Sequence, residues 1–240
     1  LSYSGSGCSS CGTGVEKLTA VIDAKIHETA YEYDQAGNLV KETDPLGKIT
    51  TYTYDVRNNL LTRTDPDGRT ITYTYDLNDR LTQKDYSGGG TTTFRYDDAG
   101  NMTNAGNASV SYTMTYDANN RITQITDSNS RTIQYQYDAA GNRTQMITPD
   151  GRTLTYTCDD NSRLSQITSP LGKFTFTYDA ANRRVTRSYP NGTASTYSYD
   201  TLNRLGGIQT TNGSNTIDSV AYTHDNVGNR LTKATPQESW

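Results

Sequence analysis

The sequence predicts an all-β protein built as a serial array of antiparallel hairpins, and three observations predict it. The first is a ruler: an aspartate returns as Asp34, Asp55, Asp76, Asp97, Asp117, Asp138, Asp159, Asp179, Asp200 and Asp225, at steps of 21, 21, 21, 20, 21, 21, 20, 21 and 25 residues. A period this strict marks one structural motif copied in series, each copy stable only when stacked on its neighbours. The second is strict alternation of apolar and polar residues just before each aspartate. The third is turn chemistry at two fixed places in every copy. No stretch combines helix periodicity with helix caps.

Each copy begins with a strand. Thr50-Thr51-Tyr52-Thr53-Tyr54, Thr70-Ile71-Thr72-Tyr73-Thr74-Tyr75 and Phe174-Thr175-Phe176-Thr177-Tyr178 alternate with period two, and their residue types suit a pleated, half-buried surface. The paired aromatics of a copy therefore share one face. The second of each pair stands directly before the aspartate: Tyr33, Tyr54, Tyr75, Tyr96, Tyr116, Tyr137, Tyr178 and Tyr199. At constant register these tyrosines are expected to stack on their equivalents one copy away. Cys158 and His224 occupy the same slot in two copies and are read as packing residues.

The aspartate opens a turn such as Gln35-Ala36-Gly37-Asn38 or Ala139-Ala140-Gly141-Asn142. Asn58, Asn120, Asn182 and Asn203 fill the glycine slot elsewhere, and Gly and Asn are the residues that tolerate positive φ. The ten repeat aspartates are assigned to structural turns, each carboxylate accepting backbone N–H groups as in an Asx-turn. A second strand follows, such as Leu60-Leu61-Thr62-Arg63-Thr64, and then a second turn such as Asp44-Pro45-Leu46-Gly47 or Asp65-Pro66-Asp67-Gly68. Proline presets one φ there and glycine supplies the unusual one. Two strands per copy and short links give a meander of about twenty strands.

These residues carry a family resemblance. The pattern Y-x-Y-D-x-x-G-N-[LR] followed by D-P-x-G, in phase over about residues 15–235, resembles the YD repeat of the Rhs (rearrangement hotspot) family. Its relatives include bacterial polymorphic toxins, the C-type component of insecticidal toxin complexes, wall-associated proteins and teneurins. The resemblance implies a continuous sheet that coils, in that family into a hollow shell around a toxin or other cargo, and it implies an extracellular or cell-surface location. The chain departs from the family pattern at its end. The motif that closes family shells has no counterpart here, since Asp44-Pro45-Leu46-Gly47 runs into Lys48-Ile49-Thr50-Thr51 without a second glycine. The chain thus reads as a segment of such a shell, or as a short relative that works by assembling.

Composition agrees with an array. Only 32% of residues are hydrophobic, but 19 tyrosines supply apolar rings with hydroxyls that can stay wet. Regular aromatics and defined turns argue against disorder. A net charge of −4 offers no basic surface for nucleic acid, and no apolar run approaches a membrane span. The array is expected over residues 15–240 as a single domain, preceded by a Gly/Ser/Cys arm over residues 1–14. In that arm Cys8 and Cys11 form a Cys-x-x-Cys pair with three readings: a local or intermolecular disulfide, free thiols, or half a zinc site. The disulfide is the favoured expectation, because zinc would need two more ligands and Cys158, His27 and His224 are scattered. His27 has no evident partner in the sequence. The segment Thr210-Thr211-Asn212-Gly213-Ser214-Asn215 reads as a loop that lengthens the last copy.

The same aspartate in every copy is what a turn cap looks like, whereas a glycosidase needs two carboxylates in distinct environments. The chain lacks calcium-loop, phosphate-loop, G-x-S-x-G and H-E-x-x-H motifs. The expectation is a non-catalytic structural protein with no cofactor and no metal, acting as a section of a cargo-enclosing shell. Two alternatives stand beside it: a subunit of an extracellular filament that assembles end to end, and an adhesion surface that binds glycans. Partners would be adjacent repeats, further copies of the chain, enclosed cargo or surface glycans.

Overall fold

A computed structural model describes residues 2–3 and 17–235. Among these residues all regular structure is strand, and no helix is long and apolar enough to cross a membrane. The chain divides into two compact parts, residues 1–121 with 126–130 and residues 122–125 with 131–240.

The first part holds β1 (Ser2–Tyr3), β2 (Ala20–Ile22), β3 (Glu28–Tyr33), β4 (Leu39–Thr43), β5 (Ile49–Tyr54), β6 (Leu60–Thr64), β7 (Thr70–Tyr75), β8 (Leu81–Tyr86), β9 (Thr91–Tyr96), β10 (Met102–Gly106) and β11 (Ser111–Tyr116). β12 (Ile122–Asp127) contributes residues to both parts. The second part continues with β13 (Thr132–Tyr137), β14 (Arg143–Ile147), β15 (Thr153–Cys158), β16 (Leu164–Ser169), β17 (Gly172–Tyr178), β18 (Arg184–Ser188), β19 (Thr193–Tyr199), β20 (Leu205–Asn212), β21 (Asn215–His224) and β22 (Arg230–Ala234).

Within each part every strand pairs antiparallel with its sequence neighbours, as in β5–β6 and β6–β7 or β17–β18 and β18–β19. Strands contact no others among the described residues, so each part is one sheet layer thick. The alternation explains why a single layer holds. Tyr52 and Tyr54 are half-buried on one face while Thr51 and Thr53 point to solvent on the other. None of the described side chains is fully buried, and only Ala20, Thr50 and Ser195 reach the buried class. The stabilising area is therefore spread as half-buried rings along one face.

Two features of register were not visible in the sequence. In nine hairpins the two strands slip at the second aromatic or its replacement: Thr53 faces Thr62, but Tyr54 faces Leu60, so Leu61 is extra. The same slip recurs opposite Tyr33, Tyr75, Tyr96, Tyr137, Cys158, Tyr178, Tyr199 and His224. A recurrent bulge of this kind bends the strand and raises its local twist. Residues 210–215 are also not a loop. They extend β20 and β21 to a tight turn in which Asn212 faces Asn215. Alternating polar residues with Gly213 at φ 58 make a longer hairpin, so the extra residues add rungs to the ladder.

Candidate functional site

Within each part the repeating aspartates line a row of five-residue turns. In the Asp34 turn, Asp34 N–H donates to Asn38 O at 2.9 Å and Gly37 N–H donates to Asp34 O at 3.0 Å. The carboxylate then locks the turn from inside. Its Oδ1 accepts the Asn38 backbone N–H at 2.8 Å, and its Oδ2 accepts Asn38 Nδ2 at 3.0 Å. The fourth residue of the turn must take positive φ. Gly37 does so at 88°, and the equivalent Asn58, Asp79, Asn120, Ser162, Asn182 and Asn203 lie between 59° and 67°. Short polar side chains bear this conformation better than others because they can bond locally.

The fifth residue is either asparagine or arginine. Where it is arginine it forms an ion pair with its own aspartate: Arg80 Nε lies 2.7 Å from Asp76 Oδ2, Arg183 Nε 2.7 Å from Asp179 Oδ2 and Arg204 Nε 2.6 Å from Asp200 Oδ2. Arg121 pairs with Asp117 and Arg163 with Asp159 in the same way. All ten carboxyls titrate below the ordinary aspartate range. At Asp34, Asp97, Asp138 and Asp225 the leading cause is the side-chain bond from the fifth-position asparagine. At Asp117 and Asp159 it is the side-chain bond from arginine, and at Asp55, Asp179 and Asp200 it is the fifth residue's backbone N–H. At Asp76 desolvation pushes upward most strongly, and the bonds from Arg80 outweigh it together.

The tyrosines that precede these aspartates bridge adjacent hairpins through their hydroxyls. Tyr54 donates to Leu39 O, Tyr75 to Leu60 O, Tyr96 to Leu81 O and Tyr116 to Met102 O, at 2.7–3.0 Å. Tyr33 reaches Leu18 O, Tyr137 reaches Ile122 O, Tyr178 reaches Leu164 O and Tyr199 reaches Arg184 O. Burial raises the phenol pKa of Tyr54 and Tyr75. Several of these rings carry a cation from the preceding turn: Arg80 lies 4.8 Å from the Tyr96 ring centre, Arg163 4.8 Å from Tyr178 and Arg183 4.7 Å from Tyr199. The contacts between successive tyrosine slots thus run through hydroxyl–carbonyl bonds and guanidinium-on-ring contacts. The ring pair found among the described residues is Phe174 with Tyr189, edge to face at 6.0 Å.

Cys158 is a free, half-buried thiol whose pKa is raised by burial. His224 fills the other variant slot. Neither has a hydroxyl to offer Arg143 O or Leu205 O. Cys8 and Cys11 lie outside the described residues. Among the described residues no group of three or more His, Cys, Asp or Glu side chains is placed to hold a metal ion.

The turns of the second row that open on aspartate share the first row's chemistry, which the proline and glycine pattern had obscured. Asp44 Oδ1 accepts Leu46 N–H and Lys48 N–H, both at 2.8 Å, and Asp65 Oδ1 accepts Asp67 N–H and Arg69 N–H. His27 does have a partner. It closes an Asp23 turn of the same geometry, with Nδ1 3.0 Å from Asp23 Oδ2. The signal was available: aspartate followed four residues later by a donor side chain.

Each carboxylate in the row therefore accepts donors from its own turn on both oxygens, a geometry suited to holding the backbone. Comparison with known proteins agrees in kind. No curated protein sequence matches the chain. In solved structures, chains titled TcdB2-TccC3-TEV, TcdB2-TccC3 without hypervariable C-terminal region, and TcdB2-TccC3 are similar to it, with TM-scores of 0.74, 0.63 and 0.61 and identities of 16%, 17% and 16%. They cover 87%, 90% and 87% of this chain, which spans only 12%, 14% and 14% of theirs. At such identities the likeness concerns the fold. The RHS Repeat model matches residues 17–49, 33–70, 54–91, 75–109, 116–153, 159–194 and 178–217. A hairpin period, a turn row and a family model that cover most of the same residues have one common explanation: the chain belongs to the RHS repeat family.

Proposed function

We propose that the chain is a non-catalytic scaffold, a section of a β-sheet shell that encloses cargo outside the cell or at its surface. The observation that carries this reading is the single-layer sheet with a half-buried aromatic face. Such a layer is suited to separating two spaces, because it spends its residues on lateral extent. The likeness of fold to the TcdB2-TccC3 chains and the family match add weight to an enclosing role. In this reading residues 15–240 act as one array, the ten repeat aspartates cap its turns, and the tyrosines pin hairpin to hairpin. Cys8 and Cys11 join as a disulfide in the N-terminal arm, which peptide mapping under non-reducing conditions would test.

A second reading, end-to-end assembly into a filament, draws on β22. All five of its residues are exposed, and it pairs on one side with β21. An open strand edge is a template for another strand. Negative-stain electron microscopy of native material decides between them. Hollow particles support the shell, long fibres support the filament, and isolated short rods at high concentration overturn both.

A further inference from the structure

The fifth residue of an Asp turn does more than close its own turn: at eight joints its side chain also reaches the next turn of the row, in one of two ways. Asn38 Nδ2 donates to Asn58 Oδ1 at 2.9 Å, Asn59 Nδ2 to Asp79 Oδ1 at 2.8 Å, Asn101 Nδ2 to Asn120 Oδ1 at 2.8 Å and Asn142 Nδ2 to Ser162 Oγ at 3.4 Å. In all four the acceptor is the side chain of the fourth residue of the next turn. Where that fourth residue is glycine there is no such acceptor, and the preceding residue is a cation in every case. Arg80 Nη1 donates to Asp97 O at 3.0 Å beside Gly100, and Arg204 Nη1 to Asp225 O at 2.6 Å beside Gly228. Lys17, one period before Asn38, bonds Gly37 O, and Arg121 precedes Gly141 in the sequence. Arginine also works with a side-chain acceptor, as Arg163 with Asn182 at 2.7 Å and Arg183 with Asn203 at 2.8 Å. No asparagine precedes a glycine turn.

The reach of the two side chains explains the pattern. Asparagine has one amide group on a short stem. Once it has satisfied its own aspartate, its second N–H extends only to a neighbour that projects toward it. The guanidinium has a fork of donors on a long stem, so one nitrogen serves its own aspartate while another reaches the backbone beyond.

We infer that this pair, fifth residue of one turn and fourth residue of the next, is a matching rule that selects which hairpin can follow which. It also specifies the partner of the exposed β22 edge. The turn before β22 closes on Asn229, whose Nδ2 holds Asp225 Oδ2 at 2.9 Å. By the rule this edge accepts a further Asp-turn hairpin with a side-chain oxygen at the fourth turn position, and rejects glycine there. A second copy that offers its Asp34 turn does not qualify, because that turn carries Gly37 and Lys17 already occupies the carbonyl there. The inference rests on the scaffold reading only in treating β22 as an edge that continues; the rule itself is read at interior joints, so either can fail alone.

A double-mutant cycle in the full chain tests the rule. Asn58→Gly should lower the thermal midpoint at least twice as far as Asn203→Gly, because Asn38 is stranded whereas Arg183 can fall back on a carbonyl. Asn58→Ser, which keeps an oxygen, should lower it no further than Asn203→Gly. Asn38→Arg should restore at least half of the Asn58→Gly loss. Equal losses at the two sites, or no recovery, overturn the rule. For the edge, the chain is extended after Trp240 by a second copy of residues 172–190, with or without Asn182→Gly in that added copy. Hydrogen exchange at Arg230–Ala234 should slow at least tenfold more with asparagine than with glycine. Equal protection by the two extensions, or protection of the unextended chain that grows with its concentration, overturns the assignment of partner.

Discussion

The hydroxyl of Tyr75 lies 3.0 Å from the carbonyl oxygen of Leu60, fifteen residues earlier and on the adjoining hairpin. The ladder between β6 and β7 runs only from Thr62–Thr72 to Thr64–Thr70. The Leu60 carbonyl therefore stands beyond the last paired rung, where the strands diverge toward the Asp turns. A half-buried carbonyl outside the ladder needs another donor, and the side chain of the next copy supplies it. The aspartate holds a hairpin to itself; the tyrosine holds it to its neighbour.

Removing that hydroxyl should separate pin from packing. Tyr75→Phe is expected to cost about 1 kcal/mol, the size of one hydrogen bond. Tyr75→Ala should cost about 3 kcal/mol, since a half-buried ring is lost as well. Chemical denaturation checks both, and equal values would mean that the hydroxyl contributes nothing.

Cys158 offers the converse experiment. Its slot lacks the hydroxyl that Arg143 O would accept. Cys158→Tyr should raise the thermal midpoint by about 2–4 °C above Cys158→Phe, which supplies the ring alone. Calorimetry of the pair separates the pin from the added apolar surface.

At the aspartates, Asp76→Ala should lower the midpoint by about 2–4 °C, as expected for a lost cap in a chain of this size. Asp55→Ala and Asp138→Ala should behave alike. A loss of activity or ion binding peculiar to one of the three would contradict a shared role in the turns.

The depressed carboxyl pKa values fix the pH dependence. A group whose folded-state value lies below its unfolded value stabilises the fold fully above the unfolded value, near pH 4, and loses that contribution as pH falls through the folded value. All ten repeat aspartates have this sign. Stability should hold nearly level from pH 7 to about pH 5 and fall steeply below about pH 4. A denaturation series across that range checks it, and Asp76→Ala should show a shallower fall.

The hairpins and their turns were legible because each repeat states its own strand period and its own punctuation. The register slip was not, since Leu60-Leu61 reads as an ordinary strand start and only pairing with Tyr54 makes one of the two superfluous. The tyrosine row was legible as a row, but the chemistry across it was not. Whether a phenol meets a ring, a guanidinium or a carbonyl depends on the divergence of strands one copy away. His27 looked solitary because Asp23 stands in the second row of turns, one period before Asp44, with Ala24 and Ile26 in place of the proline and glycine that mark that row. The link from Asn38 to Asn58 emerges only when two turns are superposed at the repeat spacing.

A sheet in which each strand leans only on its immediate neighbours has no central core to disturb when its length changes. Whole copies can be duplicated, deleted or exchanged, and every other contact survives as long as the turn residues on the two sides of the cut are compatible. For such a chain the hazard of recombination lies in one pair of side chains at the seam. Genetic rearrangement in steps of a single repeat becomes a mild event, and the length of the sheet can be inherited independently of its stability.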